Sequence, residues 1–491
     1  MNLTTAQRDR ACGTLLATAA GDALGAGYEF GNPPGPGQPV EMIGGGLGPF
    51  KPGEWTDDTS MAIAIAEIAA TGADLRDEAA LDYVVDRWHW WARNAKDVGV
   101  QTRSVLSAAG RRGISAQTAR EESGALHERT GRTAGNGSLM RIAPVALAHL
   151  DDGKALVKAA CAISELTHYD PEAGDACVLW CTAIRYAILT GKLDVRIGLG
   201  HLDIERRDLW ASRLDEAEKS QPAAFAAKNG WVVAALQAAW SAIVTTPIPV
   251  EDPASEVFRV DHLRLALEAA VRGGGDTDTV AAIAGGLLGA VYGASAVPLH
   301  WRLVLQGWPG LTTRGLVELA TKIVDKGQPE DFDFSYGAWR GVRNPVRHPH
   351  DDEVWIGGAA ALHKLPAGVD AIVSLCRVVD GHLPAGVKHL DVRLIDQQGE
   401  NANLDFVLLD TVRAVEQLRA EGRTVFVHCV QAYSRTPTIA ALYGARRRRI
   451  DIDKALDDVC AVLPEADPNP DFRAALRRLH STPDADRKAG R

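Results

Sequence analysis

Hydrophobic and polar residues follow two different patterns along the chain. Up to about residue 325, long Ala-rich and Leu-rich segments recur, among them "RACGTLLATAAGDALG" and "TVAAIAGGLLGAVYG", with little alternation of β-branched and polar residues. Apolar segments of this kind are typical of helices that are buried on most sides. We therefore predict an all-α domain over residues 1–330.

The second pattern begins after a polar stretch that contains Pro and His, "GVRNPVRHPHDDE". Short apolar runs separated by turns follow it: "EVWIGG", "AIVSLCRV", "KHLDVRLI" and "TVFVHC". Because segments with a helical pattern lie between these runs, the sequence predicts an α/β sheet domain at 351–485. We expect a linker at 331–350, although its "RHPHDD" stretch has the residue types of a metal site. The predicted fold class is multidomain, an all-α domain followed by an α/β domain, as the length of 491 residues allows.

Composition narrows the functional classes. The formal net charge is −10, which argues against nucleic acid as the main partner because proteins that bind phosphate backbones present a basic face. No apolar run reaches transmembrane length, and the first residues lack a basic segment followed by an apolar core. We therefore expect a cytoplasmic protein without a membrane partner. The seven cysteines form no CxxC pairs and do not indicate a disulfide framework.

Two similar clusters of Asp and Thr stand at the starts of very apolar predicted helices, in "GEWTDDTSM" and "RGGGDTDTV". Helix capping explains each cluster alone, since Asp and Thr are favoured at helix N-termini. A divalent cation is the second interpretation, because hard cations prefer carboxylate and hydroxyl oxygens. Carboxylates that met in a poorly solvated centre would otherwise repel one another. The residues concerned are Thr56, Asp57, Asp58, Asp276, Asp278 and Thr279.

The first 320 residues resemble the ADP-ribosylglycohydrolase family. The resemblance runs through the ordered blocks "GTLLATAAGDALGAGYEF", "GEWTDDTSM", "KDVG", "GNGSLMRIAP", "LTHYD" and "GGDTDTVAAIAG". It implies an all-α fold with two Mg²⁺ ions, or Mn²⁺, and it assigns the six Asp and Thr residues above as metal ligands. The implied reaction is hydrolysis of the glycosidic bond of an ADP-ribosylated protein or a small ADP-ribosyl compound.

The same resemblance suggests roles for residues outside the two clusters. Glu29 is the candidate acid or gating residue, with a solvated loop glutamate as the alternative. The glycines of "GNGSLMR" would let backbone N–H groups face a diphosphate, although Gly-Asn-Gly is also a common turn. The residues expected to contact the ligand are Asp97, Gly135, Gly137, Ser138 and His168.

A different chemistry is indicated by "TVFVHCVQAYSRTP", in which Cys429 and Arg435 have the spacing C-x5-R. An apolar strand is predicted to run into the cysteine, and a helix is predicted to start after the arginine. Such a loop can surround a phosphate with N–H groups and favour a thiolate at the helix N-terminus. Arg435 would clamp the phosphate and Cys429 would attack phosphorus. The alternative is an inert cysteine at the end of a strand.

This second half resembles the dual-specificity and tyrosine phosphatase superfamily over about 140 residues. By that resemblance His428 tunes the thiolate and Thr436 assists departure of the sulfur. Asp396 is the candidate general acid, with Asp391 and Asp405 as alternatives. Many members have glycine where this chain has Ala432, and alanine would be strained if that position requires a positive φ.

The sequence therefore predicts a two-domain hydrolase acting on an ADP-ribosylated substrate and on a phosphorylated substrate. A binding module is the alternative, in which ADP-ribose is bound without cleavage and the phosphatase-like half only recognises phosphate. The arginines of "ARRRRID", Arg446 to Arg449, are interpreted as a solvated charged face, with attraction of an anionic substrate as the alternative.

Overall fold

The computed structural model describes residues 1–35, 37–328, 344–378 and 383–480. Within these residues the chain forms two units. The N-terminal unit contains residues up to 247 together with 262–297 and 304–328, and the C-terminal unit contains 248–261, 298–303 and the described residues from 344 onward. Most of the predicted linker, 331–343, lies outside the described residues, so the domain boundaries stay a prediction.

The N-terminal unit is helical, as its Ala-rich segments predict. Helices begin where the sequence offers caps: the Thr4 side chain accepts from Gln7 N, and Asp170 caps a helix that has Pro171 in its first turn. Two short antiparallel strands also occur, β1 (Gln306–Gly307) and β2 (Leu311–Thr312). The helices are α1 (Thr5–Gly25), α2 (Asp57–Ala69), α3 (Glu78–Ala92), α4 (Val100–Arg112), α5 (Ala116–Thr130), α6 (Ala143–Ala148), α7 (Gly153–Glu165), α8 (Pro171–Thr190), α9 (Ile204–Lys219), α10 (Val232–Thr245), α11 (Asp261–Gly273), α12 (Thr277–Tyr292) and, after the four-residue α13 (Leu299–Arg302) of the other unit, α14 (Thr313–Val324).

Helices α1 and α12 form the centre of this unit, and glycines let their backbones touch. A Cβ added to Gly285 of α12 would lie 2.1 Å from the Ala17 carbonyl oxygen of α1, and one added to Gly21 would lie 2.1 Å from the Ala281 carbonyl oxygen. No side chain fits into such gaps, so this close contact between the two helices requires glycine at these positions. This contact aligns Asp22 of α1 with the first turn of α12.

The C-terminal unit contains the predicted α/β sheet. Its described residues form one five-stranded sheet in the order β3 (Val346–His348), β4 (Asp351–Gly358), β7 (Thr424–Cys429), β5 (Val369–Ser374) and β6 (Lys388–Asp391). Strands β3 and β4 are antiparallel, and the other neighbours are parallel. The helices that follow are α15 (Leu404–Ala420), α16 (Arg435–Arg448), α17 (Ile452–Val462) and α18 (Pro470–His480). Consistent with a parallel sheet covered by helices, Val425, Phe426 and Val427 of β7 are buried.

Two details of this sheet differ from the sequence pattern. The run "KHLDVRLI" is a strand only as far as Asp391, because Arg393 has a φ of +59° that turns the chain out of the sheet. The "RHPHDD" stretch forms the β3–β4 hairpin rather than a polar linker. The stretch is not a solvated linker because two of its polar side chains are buried against α16. His348 Nε2 lies 2.9 Å from the Ala440 carbonyl oxygen, and Asp351 accepts from the Tyr443 hydroxyl at 2.7 Å.

Among the helices of the described residues, none combines the length and the hydropathy needed to cross a membrane.

Candidate active sites

The two Asp/Thr clusters of the sequence meet in the N-terminal unit. Thr56 is the N-cap of α2 and Asp276 the N-cap of α12, so both helices direct their first turns to the same place. The Thr56 hydroxyl lies 3.0 Å from Asp58 Oδ2 and 3.3 Å from Asp278 Oδ2, although 222 residues separate Thr56 from Asp278. We call the carboxylates gathered here the acidic cluster: Asp22, Glu29, Asp57, Asp58, Asp276 and Asp278.

Asp22 belongs to this cluster and was not predicted. Its two carboxylate oxygens accept from Thr56 N at 2.8 Å and from Thr59 N at 2.9 Å, so it holds the start of α2 against α1. Its side chain is completely buried. The one sequence signal is a charged residue inside the otherwise apolar helical segment "ATAAGDALG", where an aspartate has no local reason to be.

Two overlapping groups of carboxylates are close enough to share cations. Oxygen atoms of Asp22, Asp58 and Asp278 lie within 4.8 Å of one another, as do those of Glu29, Asp276 and Asp278. Asp278 is common to both groups. Loss of the Asp278 carboxylate would therefore affect both groups.

Burial makes these carboxylates unfavourable as anions in the absence of a cation. It raises the pKa of Asp58 and Asp278 well above the usual range, and the neighbouring carboxylates add to the effect. It also raises the pKa of Asp22 to about 6 and that of Asp57 to about 7. For Glu29, burial and then the charge of Asp276 raise the pKa to about 8.

One carboxylate oxygen of Asp58 indicates that a cation fits this site. Asp58 Oδ1 is buried and has no hydrogen-bond partner among the described residues, which is costly for a carboxylate unless a cation compensates. The donors are carboxylate and hydroxyl oxygens, the type that Mg²⁺ and Mn²⁺ prefer. The residues present therefore fit a divalent cation.

The remaining predicted ligands line the same place. Thr279 is buried in the first turn of α12, and its N–H donates to Asp278 Oδ1 at 3.0 Å. Asp57 Oδ2 lies 3.3 Å from Gly99 N, and the charge of Asp97 contributes to the raised pKa of Asp57. The "KDVG" motif is thus brought next to the start of α2.

The "GNGSLMR" loop reaches the acidic cluster through Asn136, a residue that sequence reasoning missed. Asn136 Nδ2 donates to Asp276 Oδ2 at 2.8 Å and to the Asn229 carbonyl at 2.9 Å. Asn229 in turn accepts from Asp276 N at 3.0 Å. These two asparagines fix the start of α12, and they had no sequence signal beyond their position beside glycines.

Gly135 and Gly137 lie against His168. A Cβ at Gly135 would be 3.2 Å from His168 Nε2, and one at Gly137 would be 3.0 Å from His168 Cε1. His168 Nδ1 lies 2.7 Å from the Thr167 hydroxyl, and burial lowers the pKa of His168 well below its usual range, so the ring is neutral. The Ser138 hydroxyl is buried without a hydrogen-bond partner among the described residues.

The second candidate site lies at the carboxyl end of β7. The strand ends at Cys429 and α16 begins at Arg435, so these seven residues, which we call the cysteine loop, join strand to helix as predicted. Cys429 is buried. Arg435 Nη1 donates to the Leu394 carbonyl at 2.9 Å and to the Leu375 carbonyl at 3.2 Å, which fixes its guanidinium beside the loop.

Two predicted residues around the cysteine have identifiable partners, and a third has an unusual backbone conformation. His428 Nε2 lies 2.7 Å from the Ser374 hydroxyl, and burial lowers the pKa of His428 to about 3. Thr436 is buried and its hydroxyl donates to the Gly357 carbonyl at 3.4 Å. Ala432 has a φ of +56°, the conformation that favours glycine.

The geometry separates the three candidate general acids. Asp396 Oδ2 lies 3.8 Å from Arg435 Nε, and Asn469 Nδ2 donates to Asp396 Oδ1 at 3.1 Å. Asp391 and Asp405 are instead engaged with arginines of their own, Arg393 and Arg478, each at 2.6 Å. Of the three, Asp396 is the one held beside the cysteine loop, and Asn469 is a further residue that sequence reasoning missed.

The arginine run at the C-terminal end of α16 is only partly a solvated face. Arg446 is half-buried and forms ion pairs with Glu416 and Glu256, and Arg447 pairs with Asp351. Arg448 and Arg449 are exposed.

The two units belong to different classes of protein, an all-α unit with a buried set of oxygen donors and an α/β unit with a cysteine loop. Residues 3–331 match the family model described as ADP-ribosylglycohydrolase. The chain belongs to the ADP-ribosylglycohydrolase family, whose members are metal-dependent hydrolases, and it carries in addition a C-terminal unit similar to dual-specificity phosphatases.

Curated relatives cover both units. ADP-ribosylarginine hydrolase Tri1 of Pseudomonas putida strain GB-1 is 30% identical over 60% of this chain and 73% of that protein. The ADP-ribosyl-dinitrogen reductase glycohydrolase of Rhodospirillum rubrum is 31% identical over 60% of this chain and 89% of that protein. Dual specificity phosphatase 28 of Mus musculus is 30% identical over 24% of this chain and 70% of that protein.

Proposed function

We propose that the N-terminal unit is a Mg²⁺-dependent hydrolase that removes ADP-ribose from arginine side chains of proteins. The observation that carries this proposal is the convergence of Thr56, Asp58 and Asp278 in a buried site where one carboxylate oxygen lacks a partner among the described residues. The choice of arginine rests on the name of the relative Tri1.

The metal ligands in this proposal are Thr56, Asp57, Asp58, Asp276, Asp278 and Thr279, and Mn²⁺ is a possible replacement for Mg²⁺. When bound, such cations supply charge that activates a water molecule and orients ribose hydroxyls. Asp22 acts from behind the ligands by fixing the N–H groups of Thr56 and Thr59. Metal affinity should therefore depend on Asp22 as well as on the ligands themselves.

The other residues of this site bind and orient the substrate. The loop around Gly135 and Gly137, backed by neutral His168, is suited to the diphosphate. Water adds to the anomeric carbon as a C–O bond forms and the C–N bond to the acceptor breaks. The leaving nitrogen takes a proton from the site, and the attacking water returns a proton to it. Glu29 lies within 4.8 Å of Asp276 and Asp278 and is the residue we assign to supply that proton or to gate the site.

We also propose that the C-terminal unit is a cysteine-dependent phosphatase. The Cys429 sulfur attacks phosphorus, an S–P bond forms, and the P–O bond to the leaving group breaks as Asp396 donates a proton to that oxygen. Water then attacks the phosphocysteine, the S–P bond breaks, and Asp396 takes the proton back. Arg435, fixed by two backbone carbonyls, holds the phosphate oxygens throughout.

One observation favours a second function for the C-terminal unit. Ala432 has a φ of +56° in the middle of the cysteine loop, and a strained residue there can hold the loop in a shape that binds phosphate without efficient turnover. A phosphate-recognition unit is therefore the alternative to an active phosphatase.

The first proposal is tested with two peptides, one ADP-ribosylated on arginine and one on serine, each assayed with Mg²⁺, with Mn²⁺ and with EDTA. We expect release of ADP-ribose from the arginine peptide with Mg²⁺ and no release with EDTA. Release from the serine peptide alone would contradict arginine as the acceptor. Release that EDTA does not affect would contradict the dependence on a metal ion. Binding of ADP-ribose without any release would support the binding-module alternative.

The second proposal is tested with an aryl phosphate and the Cys429→Ser variant. We expect wild-type turnover and no turnover by the variant, with hydrolysis of the arginine peptide unchanged in both proteins. Equal rates would exclude Cys429 as the nucleophile. Phosphate binding by a wild-type protein that releases no phosphate would support the recognition unit.

A further inference from the structure

A cavity of about 470 Å³ opens beside the acidic cluster, within the N-terminal unit. Its lining includes Thr56, Asp57 and Asp97, which lie at the acidic cluster, and two aromatic residues, Trp90 and Trp308. We call this space the indole cavity. Because it shares residues with the predicted metal site, a molecule bound in it would be next to the reacting atoms.

The two indoles are held as a rigid pair. Their ring centroids are 6.0 Å apart with an interplanar angle of 46°. Trp55 Nε1 donates to the Trp308 carbonyl at 3.1 Å, which fixes the β1–β2 turn that carries Trp308. Trp90 is 49% exposed although it stands on α3 among buried residues. An exposed tryptophan held in a fixed position is available for a ligand.

This indole pair already binds one guanidinium of the chain itself. Arg87 Cζ lies 5.3 Å from the centroid of the Trp90 ring and 4.9 Å from that of Trp308. The charge of Arg87 is balanced by Glu67, at 2.6 Å. The rings are therefore suited to cation–π recognition. Arg87 does not line the indole cavity, so the ring surface inside the cavity is left for a second cation.

The charges in the cavity favour a cation over an anion. The lining contains three carboxylates, Glu54, Asp57 and Asp97, against two lysines, Lys51 and Lys96. Of the lysines, Lys96 is bound to Glu54 at 2.7 Å and to the Pro49 carbonyl at 3.1 Å. A diphosphate placed in this cavity would come close to these carboxylates, whereas a guanidinium would be attracted by them.

We propose that the indole cavity is the acceptor subsite, in which Trp90 and Trp308 bind the arginine side chain that carries ADP-ribose. The guanidinium of that side chain stacks on the indoles and is attracted by Asp57 and Asp97. The glycine loop, which reaches the acidic cluster through Asn136, is left for the diphosphate. This inference rests on the proposed function of the N-terminal unit.

The experiment compares Trp90→Ala and Trp308→Ala with the conservative variant Trp90→Phe. Tyr83→Ala is the matched control, because Tyr83 is an exposed aromatic residue on the same helix that does not line the cavity. The readouts are kcat/KM for a peptide ADP-ribosylated on arginine, the affinity for free ADP-ribose by calorimetry, and the affinity for agmatine as a bare guanidinium probe. Thermal unfolding checks that each variant is folded.

We expect each alanine variant to lower kcat/KM for the peptide by about 3- to 30-fold, as the loss of one desolvated cation–π contact implies. Agmatine binding is expected to weaken in parallel, ADP-ribose affinity to stay within about twofold, and Trp90→Phe to keep most of the activity. A parallel loss of ADP-ribose affinity would overturn the proposal, since the cavity would then hold the nucleotide. Unchanged kcat/KM and unchanged agmatine binding in the alanine variants would overturn it as well.

The test of the acceptor subsite can fail independently of the test of the proposed function. If the wild-type protein cleaves no arginine-linked substrate, the proposed function fails, and the agmatine measurement still decides the subsite. Agmatine binding that is lost in Trp90→Ala but kept in Tyr83→Ala would then support the subsite, and no agmatine binding by the wild-type protein would overturn it.

Discussion

The acidic cluster and the cysteine loop gather charge in opposite ways. The acidic cluster draws on four separate segments of the chain, and all six of its members are carboxylates: Asp22, Glu29, Asp57, Asp58, Asp276 and Asp278. The cysteine loop is a single run of seven residues that ends in its own cation, Arg435. The first site therefore depends on long-range helix contacts and on an external cation, whereas the second depends on local backbone shape.

This difference decides where each site is vulnerable. A change in the contact between α1 and α12 should disturb the acidic cluster without touching a ligand. The cysteine loop should instead respond to changes in its own φ and ψ angles. The following predictions separate these two dependences.

The largest effect is expected for Asp278→Asn, because Asp278 belongs to both groups of carboxylates. Removing this carboxylate charge from the metal site should cost several kcal/mol of transition-state stabilisation. That cost corresponds to a decrease on the order of 10³-fold in the rate at which the arginine peptide is hydrolysed. Hydrolysis of the aryl phosphate should not change. The control is Asp151→Asn, since Asp151 forms an exposed ion pair with Lys326 at 2.5 Å. Similar losses in the two variants would contradict the assignment.

A second prediction concerns pH and Mg²⁺ together. The pKa of Asp22 is raised to about 6 and that of Asp57 to about 7 in the folded protein. A carboxyl whose pKa is raised by folding contributes full stability below its unfolded pKa, about 4, and loses this contribution as the pH rises through the folded value. Without a cation, the unfolding temperature of the N-terminal unit should therefore fall between about pH 5 and pH 8.

Mg²⁺ binds the ionised carboxylates, so the increase in unfolding temperature that it produces should be larger at about pH 8 than at about pH 5. Tryptophan fluorescence with and without EDTA measures this difference. An equal increase at the two pH values would mean that the buried carboxylates are not the binding groups.

The helix contact is tested by Gly285→Ala. The new Cβ would meet the Ala17 carbonyl oxygen, so we expect a loss of about 1–3 kcal/mol in the free energy of unfolding and a weaker Mg²⁺ affinity. The matched control is Gly174→Ala in α8, where the added Cβ has no atom within 4 Å. That control should instead stabilise the protein by about 0.5–1 kcal/mol. Destabilisation by both variants would show that helical glycines matter for a reason other than close approach.

The smallest effect is expected for Ala432→Gly. Removing the Cβ at a φ of +56° should relieve about 1 kcal/mol of strain in the cysteine loop. Chemical denaturation measures the stability, and turnover of the aryl phosphate should rise if the strain opposes catalysis. Ala461→Gly, on the exposed face of α17, is the control and should cost about 0.5–1 kcal/mol. Destabilisation by Ala432→Gly would contradict the idea of a strained loop.

Much of the fold was predictable because both patterns are local. The Ala-rich runs are helices and the apolar runs near the C-terminus are strands β4 to β7, as predicted. The extent of β6 was not predictable, since it is set by the positive φ of Arg393 rather than by hydrophobicity. The hairpin of β3 and β4 was missed because the partners of His348 and Asp351 lie about ninety residues away in α16.

The candidate sites show the same limit. The acidic clusters at Thr56–Asp58 and Asp276–Thr279, and the spacing of Cys429 and Arg435, are visible in the sequence. Asp22 was missed because its partners, the N–H groups of Thr56 and Thr59, are 34 and 37 residues away. Asn136 was missed for the same reason, since it contacts Asp276 across 140 residues.

The glycine-mediated contact between α1 and α12 also has a consequence for biosynthesis. At roughly 5–20 residues per second, translation from the codon of Gly21 to that of Ala281 occupies tens of seconds. During that time the face of α1 that packs on α12 lacks its partner, although α2, α6 and α8, which also contact α1, are synthesised earlier. We therefore expect the nascent chain to expose this face until α12 emerges.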